Sequence, residues 1–205
     1  MSIDYGQVVM FYNQAIFDQA GITEVPATWE EYYEAAKKIR TLGDDYYISN
    51  EAGDIFLLLS MIWQAGGQPF TYDGDTVKID FSDKNTQEVL SYWQKMIDED
   101  LITNDIAIWS DDWNRTLNDG TLSTQIIGGW MTANLPPRAP DAAGDWRVAP
   151  MPQWNEGENY SAENGGSTLA ILQASEKKEA AFKFVEYITH GEGVQARVYA
   201  NATVP

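Results

Sequence analysis

Within eleven residues, from 121 to 131, this chain passes from the pattern of a buried strand to the start of a helix. Leu122, Ile126 and Ile127 suit a strand, Gly128-Gly129 lets the backbone turn tightly or approach another molecule closely, and Trp130 follows where a helix begins. Strands that feed helices through such short turns build α/β folds, and in open α/β sheets ligands bind in the crevice beyond the carboxyl ends of the strands. Trp130 therefore has two readings, a packing ring or a flat platform for a ligand.

The flanking sequence repeats the alternation of strand and helix. Residues 8–12 read as a buried strand, Asn13 as a cap, and Ile16 and Phe17 as a short helix stopped at Gly21. Pro26-Ala27-Thr28-Trp29-Glu30-Glu31 is a capping box that predicts a helix to about residue 42. A short strand is expected at 46–48. Asp54 then caps an apolar helix over 55–65 that ends at Gly66-Gly67; apolar on nearly all sides, it reads as buried, with Phe56 in the core by default. Residues 70–72 and 77–81 flank Asp73-Gly74-Asp75 as a hairpin. Ser82 caps a long helix whose Val89, Tyr92, Trp93, Met96 and Ile97 form one stripe.

Residues 101–109 read as irregular, and a helix from Ser110 to Gly120 carries Trp113 and Leu117. After Trp130 a short helix runs to Leu135 and is ended by Pro136-Pro137. A strand is expected at 146–149. Asn164-Gly165-Gly166-Ser167 leads into another at 169–172, Ser175 caps a helix presenting Ala181, Phe184, Val185 and Ile188, and a last helix covers 192–199.

Charge narrows the partners. Thirty-one acidic residues against thirteen basic give a net charge of −18, which opposes nucleic-acid binding, a process driven by Lys and Arg. The chain has eight Trp and eleven Tyr, rings that suit cores, interfaces or sugar-like ligands. With no Cys and a single His190, thiolate and Cys-ligated metal chemistry are excluded, and no phosphate loop, nucleophile elbow or metal motif appears. No cofactor is expected. No apolar run approaches the ~20 residues that span a bilayer, and nothing after Met1-Ser2 resembles a signal peptide, so the chain reads as cytosolic or as a piece of a longer protein.

Four segments together resemble the sugar-type extracellular solute-binding proteins of ABC importers, the maltodextrin-binding-protein-like family. They are Phe11-Tyr12-Asn13 through Phe17, Ala20-Gly21 and the capping box; Leu117-Asn118-Asp119-Gly120-Thr121 leading to Gly128-Gly129-Trp130; Asn164-Gly165-Gly166-Ser167-Thr168-Leu169-Ala170-Ile171; and Lys178-Glu179-Ala180-Ala181-Phe182-Lys183-Phe184. Gly191-Glu192-Gly193-Val194-Gln195 matches more loosely. Leu122, Met131 and the polar Gln125 inside the strand depart from the family's pattern.

The resemblance implies an α/β fold, a class II periplasmic-binding-protein-like lobe with a central β-sheet flanked by helices and an incomplete second lobe. Residues 1–7 would be a hinge-proximal start, 8–164 a C-terminal-type lobe, and 165–205 the hinge crossing with a partial segment of the N-terminal-type lobe. It implies a non-enzymatic, extracytoplasmic component, periplasmic or a cell-surface lipoprotein. Such a protein holds a sugar or oligosaccharide between its lobes and delivers it to membrane permease subunits as a monomer. Exposure of the face toward the missing lobe would favour self-association of the piece. Trp130 would stack on the sugar; Phe56, Asp54, Trp109, Gly129, Asn164 and Ser167 would join it, and Gly165 and Gly166 would act as hinge residues. Phe56 as core, Asp54 as a plain cap and 164–167 as a structural turn stay open beside these roles. A carbohydrate-active enzyme domain, with two carboxylates across a cleft, and an aromatic-rich protein-interaction module are the alternatives.

Overall fold

The computed structural model describes residues 2–52 and 55–201. Asp54, the expected cap and ligand residue, lies outside the described residues. The elements in chain order are β1 (Ser2–Asn13), α1 (Gln14–Gln19), α2 (Trp29–Arg40), β2 (Ser49–Ala52), α3 (Ile55–Gln64), β3 (Phe70–Asp73), β4 (Thr76–Ile79) and α4 (Lys84–Asp98). There follow β5 (Ile102–Ala107), α5 (Asp111–Asp119), β6 (Thr124–Gly128), α6 (Met131–Arg138), β7 (Trp146–Pro150), β8 (Glu163–Thr168), α7 (Lys178–Thr189) and α8 (Gly191–Asn201).

Strand β1 is the axis of the sheet. Its second half pairs antiparallel with β6 on one edge, Val8 opposite Gly128 through Tyr12 opposite Thr124, and with β7 on the other, Val9 opposite Pro150 through Asn13 opposite Trp146. Its first half pairs instead with β8, from Ser2 opposite Thr168 to Gln7 opposite Glu163, with two register shifts. Strands β2 and β5 form a parallel pair that joins this sheet just before β2: Ser123 N–H donates to the Tyr47 carbonyl at 3.1 Å and Thr124 N–H to that of Ile48 at 2.9 Å.

Alternation along these strands sorts the core into two layers, because successive side chains point to opposite faces. Val8, Met10 and Tyr12 of β1 and Ile126 of β6 face a large cluster with Trp29, Tyr32, Ala36 and Ile39 of α2, Met61 and Ile62 of α3, and Val89, Trp93 and Met96 of α4. Phe11 and Ile127 face the opposite side with Trp113 and Leu117 of α5, Met131 and Leu135 of α6, and Trp146. A sheet between two helical layers results. Among the described residues, every buried apolar side chain except Val185 falls between Val8 and Met151.

Several elements sit where the sequence places them. The capping box of α2 is complete: Glu31 N–H donates to Thr28 Oγ1 at 3.2 Å while Glu31 Oε2 accepts from the backbone N–H groups of Thr28 and Ala27 at 3.0 and 2.8 Å. Gly120 ends α5 in the left-handed region at φ 80°, and Gly74 turns the β3–β4 hairpin at φ 58°. Others shift. The strand expected at 46–48 lies at β2, with Tyr47 making only an isolated bridge to Leu122. The segment expected to be irregular contains β5; its partner β2 is remote in sequence, and Asn104-Asp105 disguise the strand because both are exposed.

Asp83, not Ser82, caps α4, accepting from Thr86 N–H at 3.0 Å, while Ser82 is bound to Asp80. Pro136 and Pro137 do not stop α6, which continues to Arg138. The carbonyls those prolines leave without intrahelical donors belong to Thr132 and Ala133, both exposed residues, so solvent can take the place of the missing donors. The late strand is β8, over the glycine pair, rather than 169–172. Ser175 is not the cap of α7: Lys177 holds that position and its N–H donates to Ser175 Oγ at 3.2 Å. Helix α3 buries Leu57, Leu59, Met61 and Ile62 but exposes Ile55, Phe56 and Trp63, so its apolar girth is not a sign of burial on all sides, and Phe56, at 54% exposure, is not a core residue.

The capping box predicts that Thr28→Ala lowers stability by about 1 kcal/mol in urea titration with an unchanged m-value. An unchanged midpoint would mean that α2 does not depend on its cap.

Candidate functional site

Where β6 ends, Gly128 and Gly129 carry the chain into α6, and Trp130 occupies the cap position with no side-chain hydrogen bond to the helix. Its indole is directed elsewhere. Trp130 Nε1 donates to the backbone carbonyl of Asn164 on β8 at 2.7 Å, and the Gly129 N–H donates to the Gln7 carbonyl on β1 at 2.8 Å. These two bonds fasten the β6–α6 corner to both strands at the point where β1 exchanges β6 and β7 for β8.

The approach needs glycine. A Cβ on Gly128 would lie 2.2 Å from Trp130 Nε1 and 2.6 Å from the Asn164 carbonyl oxygen, and one on Gly165 would lie 2.9 Å from the same indole nitrogen. Gly165 and Gly166 have φ of 98° and 91°, in the region that other residues rarely adopt. On the facing strand, a Cβ on Gly6 would meet the Asn164 oxygen at 2.3 Å. β8 is thus held by close backbone packing instead of side-chain burial.

A second ring meets the first. Trp109, just before the Ser110 cap of α5, stacks on Trp130 with ring centroids 5.8 Å apart and planes 24° from parallel. It also leans on Trp113 at 5.0 Å, and the Arg138 guanidinium sits 4.9 Å over its ring. Trp109 remains 44% exposed and Trp130 is partly exposed. Beneath them Trp113 is fully buried; its Nε1 donates to Gln125 Oε1 at 3.3 Å, and Gln125 Nε2 donates to Asn50 Oδ1 at 3.3 Å. The polar residue inside β6 thereby fixes the base of the aromatic group, since a buried amide is costly unless bonded at both ends.

Of the residues singled out in the sequence, Trp130, Trp109, Gly129, Asn164, Gly165 and Gly166 converge here. Asn164 is itself buried and takes part through its carbonyl. Ser167 is exposed further along β8, opposite Asp4. Phe56 is exposed on α3, a helix that lies alongside β8. Sequence reasoning did not find Trp113, Gln7, Asn50 or Arg138; only Gln125, a polar residue in an apolar strand, signalled the network below. Two concavities, of about 400 Å³ beside residues 22–38 and about 520 Å³ between residues 25–31 and 149–159, lie at the start of α2 and include none of these rings.

The three-layer α/β body is the fold of periplasmic-type sugar-binding proteins. Over residues 3–194 the chain matches the family described as bacterial extracellular solute-binding protein, and it belongs to that family. It is 46% identical, with a TM-score of 0.86 over its full length and 50% of the other chain, to the ABC transporter associated binding protein from B. animalis subsp. lactis, whose structure holds beta-1,6-galactobiose. The galacto-N-biose-/lacto-N-biose I-binding protein of Bifidobacterium longum shares the fold, with a TM-score of 0.78 at 24% identity, over 92% of this chain and 47% of its own. The arabinooligosaccharide-binding protein of Halalkalibacterium halodurans is 25% identical over 95% of this chain and 44% of its own length. The chain therefore spans about half the length of the relatives it matches. The family and these relatives are binding proteins rather than enzymes, and among the described residues no helix is long and apolar enough to cross a membrane.

Gly128→Ala is expected to push the indole off the Asn164 carbonyl, lowering stability by ~1–3 kcal/mol through overpacking and shifting the Trp emission. Gly144→Ala, where an added Cβ meets nothing within 4 Å, serves as the neutral control. Equal thermal and emission profiles for the two variants would contradict the packing at Trp130.

Proposed function

We propose that this chain supplies one lobe of an extracytoplasmic sugar- or oligosaccharide-binding protein of an ABC importer, with Trp130 as the principal stacking platform. The stacked Trp109–Trp130 pair carries the reading. Sugars present apolar C–H faces ringed by hydroxyls, and their recognition needs flat rings for the faces and amides or carbonyls for the hydroxyls. Two near-parallel, partly exposed indoles at a strand crossing meet the first need. Beta-1,6-galactobiose, lacto-N-biose and arabinooligosaccharides, which appear in the names of relatives, are the first ligands to try. Phe56, exposed on α3, Ser167, exposed on β8, and Asp54 are the further ligand residues of this reading.

Residues 8–164 form the lobe in this reading, and 1–7 with 165–205 the crossing strands and part of the other lobe. The change of β1 partners at residues 7–8 and the positive φ of Gly165 and Gly166 support a hinge there, one that would let lobe closure trap ligand and present it to the permease. Exposed Phe182, Phe184 and Tyr187 on α7 fit a face that the rest of the second lobe would cover. In this reading the protein is a monomeric binder without catalysis, periplasmic or lipid-anchored; the extracellular family to which the chain belongs supports the extracytoplasmic part.

Calorimetric titration of the three sugars into a two-lobed protein carrying this chain tests the proposal. Trp130→Ala is expected to weaken binding by ~1–3 kcal/mol, the range of stacking losses. Unchanged affinity would remove Trp130 from the site.

A further inference from the structure

Trp109 has a backbone conformation that a bulky residue rarely adopts, with φ of 70°. Such outliers persist only where surrounding contacts over-determine them, and they concentrate at ligand sites. The loop between β5 and α5 fixes that backbone as a turn, in which the Ser110 N–H and Oγ donate to the Ala107 carbonyl at 3.2 and 2.7 Å, but it leaves the direction of the ring to other contacts. What else holds the ring comes from another helix. Arg138, the last residue of α6, places its guanidinium 4.9 Å over Trp109 and 6.0 Å from Trp113, and its Nη1 donates to Asn114 Oδ1 at 3.3 Å.

This cation is used in an unusual way. The chain carries thirty-one carboxylate side chains against thirteen Lys and Arg, yet among the described residues Arg138 makes no ion pair, and its buried Nε has no hydrogen-bond partner. Its electrostatic partners are the faces of two indoles, an attraction that grows as the pair is withdrawn from water. Its place at the carboxyl end of α6 is favourable for a positive charge as well. Helix α6 thus carries Trp130 at one end and, at the other, the charge that holds the ring stacked against it.

We propose that Arg138 is the positioning residue of the aromatic platform: by cation–π contact it keeps the Trp109 ring stacked on Trp130. It sets sugar affinity without touching the sugar. The consequence for ligand rests on the sugar-binding reading; the positioning does not. Geometry favours Arg over Lys, because a planar guanidinium can lie over one ring and still reach Asn114.

Stacked indoles couple their transitions in circular dichroism, and the couplet that reports the platform is the part lost in Trp130→Phe, which leaves the Trp109–Trp113 and Trp29–Trp154 pairs in place. In R138M, which keeps the length and apolar contact of the side chain but not its charge, the couplet is expected to collapse while the melting temperature changes little. R138K is expected to restore part of it, and N114A, which frees Nη1 but keeps the cation, to weaken it. R115M, which removes an exposed cation paired with Asp112 and Asp119 on α5, leaves it intact. R138M is further expected to weaken β-1,6-galactobiose binding by ~3- to 10-fold, within the span of such contacts. A full couplet in R138M, or a loss matched by R115M, overturns the proposal. Collapse in R138M with no sugar bound by the unmutated protein supports the positioning role and refutes the sugar-binding reading instead.

Discussion

The Trp130 indole N–H and the Asn164 carbonyl meet at 2.7 Å in a space that Gly128 and Gly165 leave open. That bond crosses from the corner of β6 and α6 to β8, beside the pairing that both strands make with β1. Without it the ring would lose its fixed edge, and Trp109 would lose the surface on which it stacks. Glycine is required twice over, by sterics at Gly128 and by both sterics and a positive φ at Gly165. A ring secured by its edge keeps its faces for other contacts, which is the geometry a stacking platform requires.

The rest of the sheet serves this corner. Tyr32, fully buried on the capped helix α2, shares a 2.7 Å hydrogen bond with Thr124 at the start of β6, and Thr124 Oγ1 also donates to the Ile48 carbonyl at 2.7 Å. On the opposite face, Gln125 links Trp113 to Asn50. Consecutive residues of β6 thereby tie the strand into both helical layers through polar contacts that only one register satisfies. Apolar burial supplies most of the stability, but it is indifferent to small slips, whereas buried hydrogen bonds are not. The position of Gly128 at the end of β6 follows from that register.

Local signals made much of this legible before any coordinates. The capping box of α2, the Asp73-Gly74-Asp75 turn, the stripe on α4 and the glycine end of α5 are each written within a few residues, so they can be read from a few residues. The strand β5 and the true extent of β8 could not be, because their ladders depend on partners far away in the chain and β8 contains two glycines where a strand usually has branched side chains. The Pro136-Pro137 stop failed because solvent can satisfy the carbonyls that those prolines abandon. At the candidate site, Trp130 and Gly129 were visible as a break in pattern and Trp109 only through the family resemblance. Arg138 was not, since nothing in a short Pro-Pro-Arg helix end announces that its charge will lie over rings from another helix.

Membership in the solute-binding family and the stacked indoles converge on one claim, that the Trp109–Trp130 pair faces a sugar. The most direct measurement is fluorine NMR of the chain labelled with 5-fluorotryptophan, its resonances assigned by single Trp→Phe substitutions, during titration with β-1,6-galactobiose. The method detects weak binding, so an incomplete cleft does not silence it. The account predicts that the Trp130 and Trp109 resonances move together and saturate, while those of the buried Trp29 and Trp93 stay fixed. Movement confined to other tryptophans, or none at all at millimolar sugar, would contradict it.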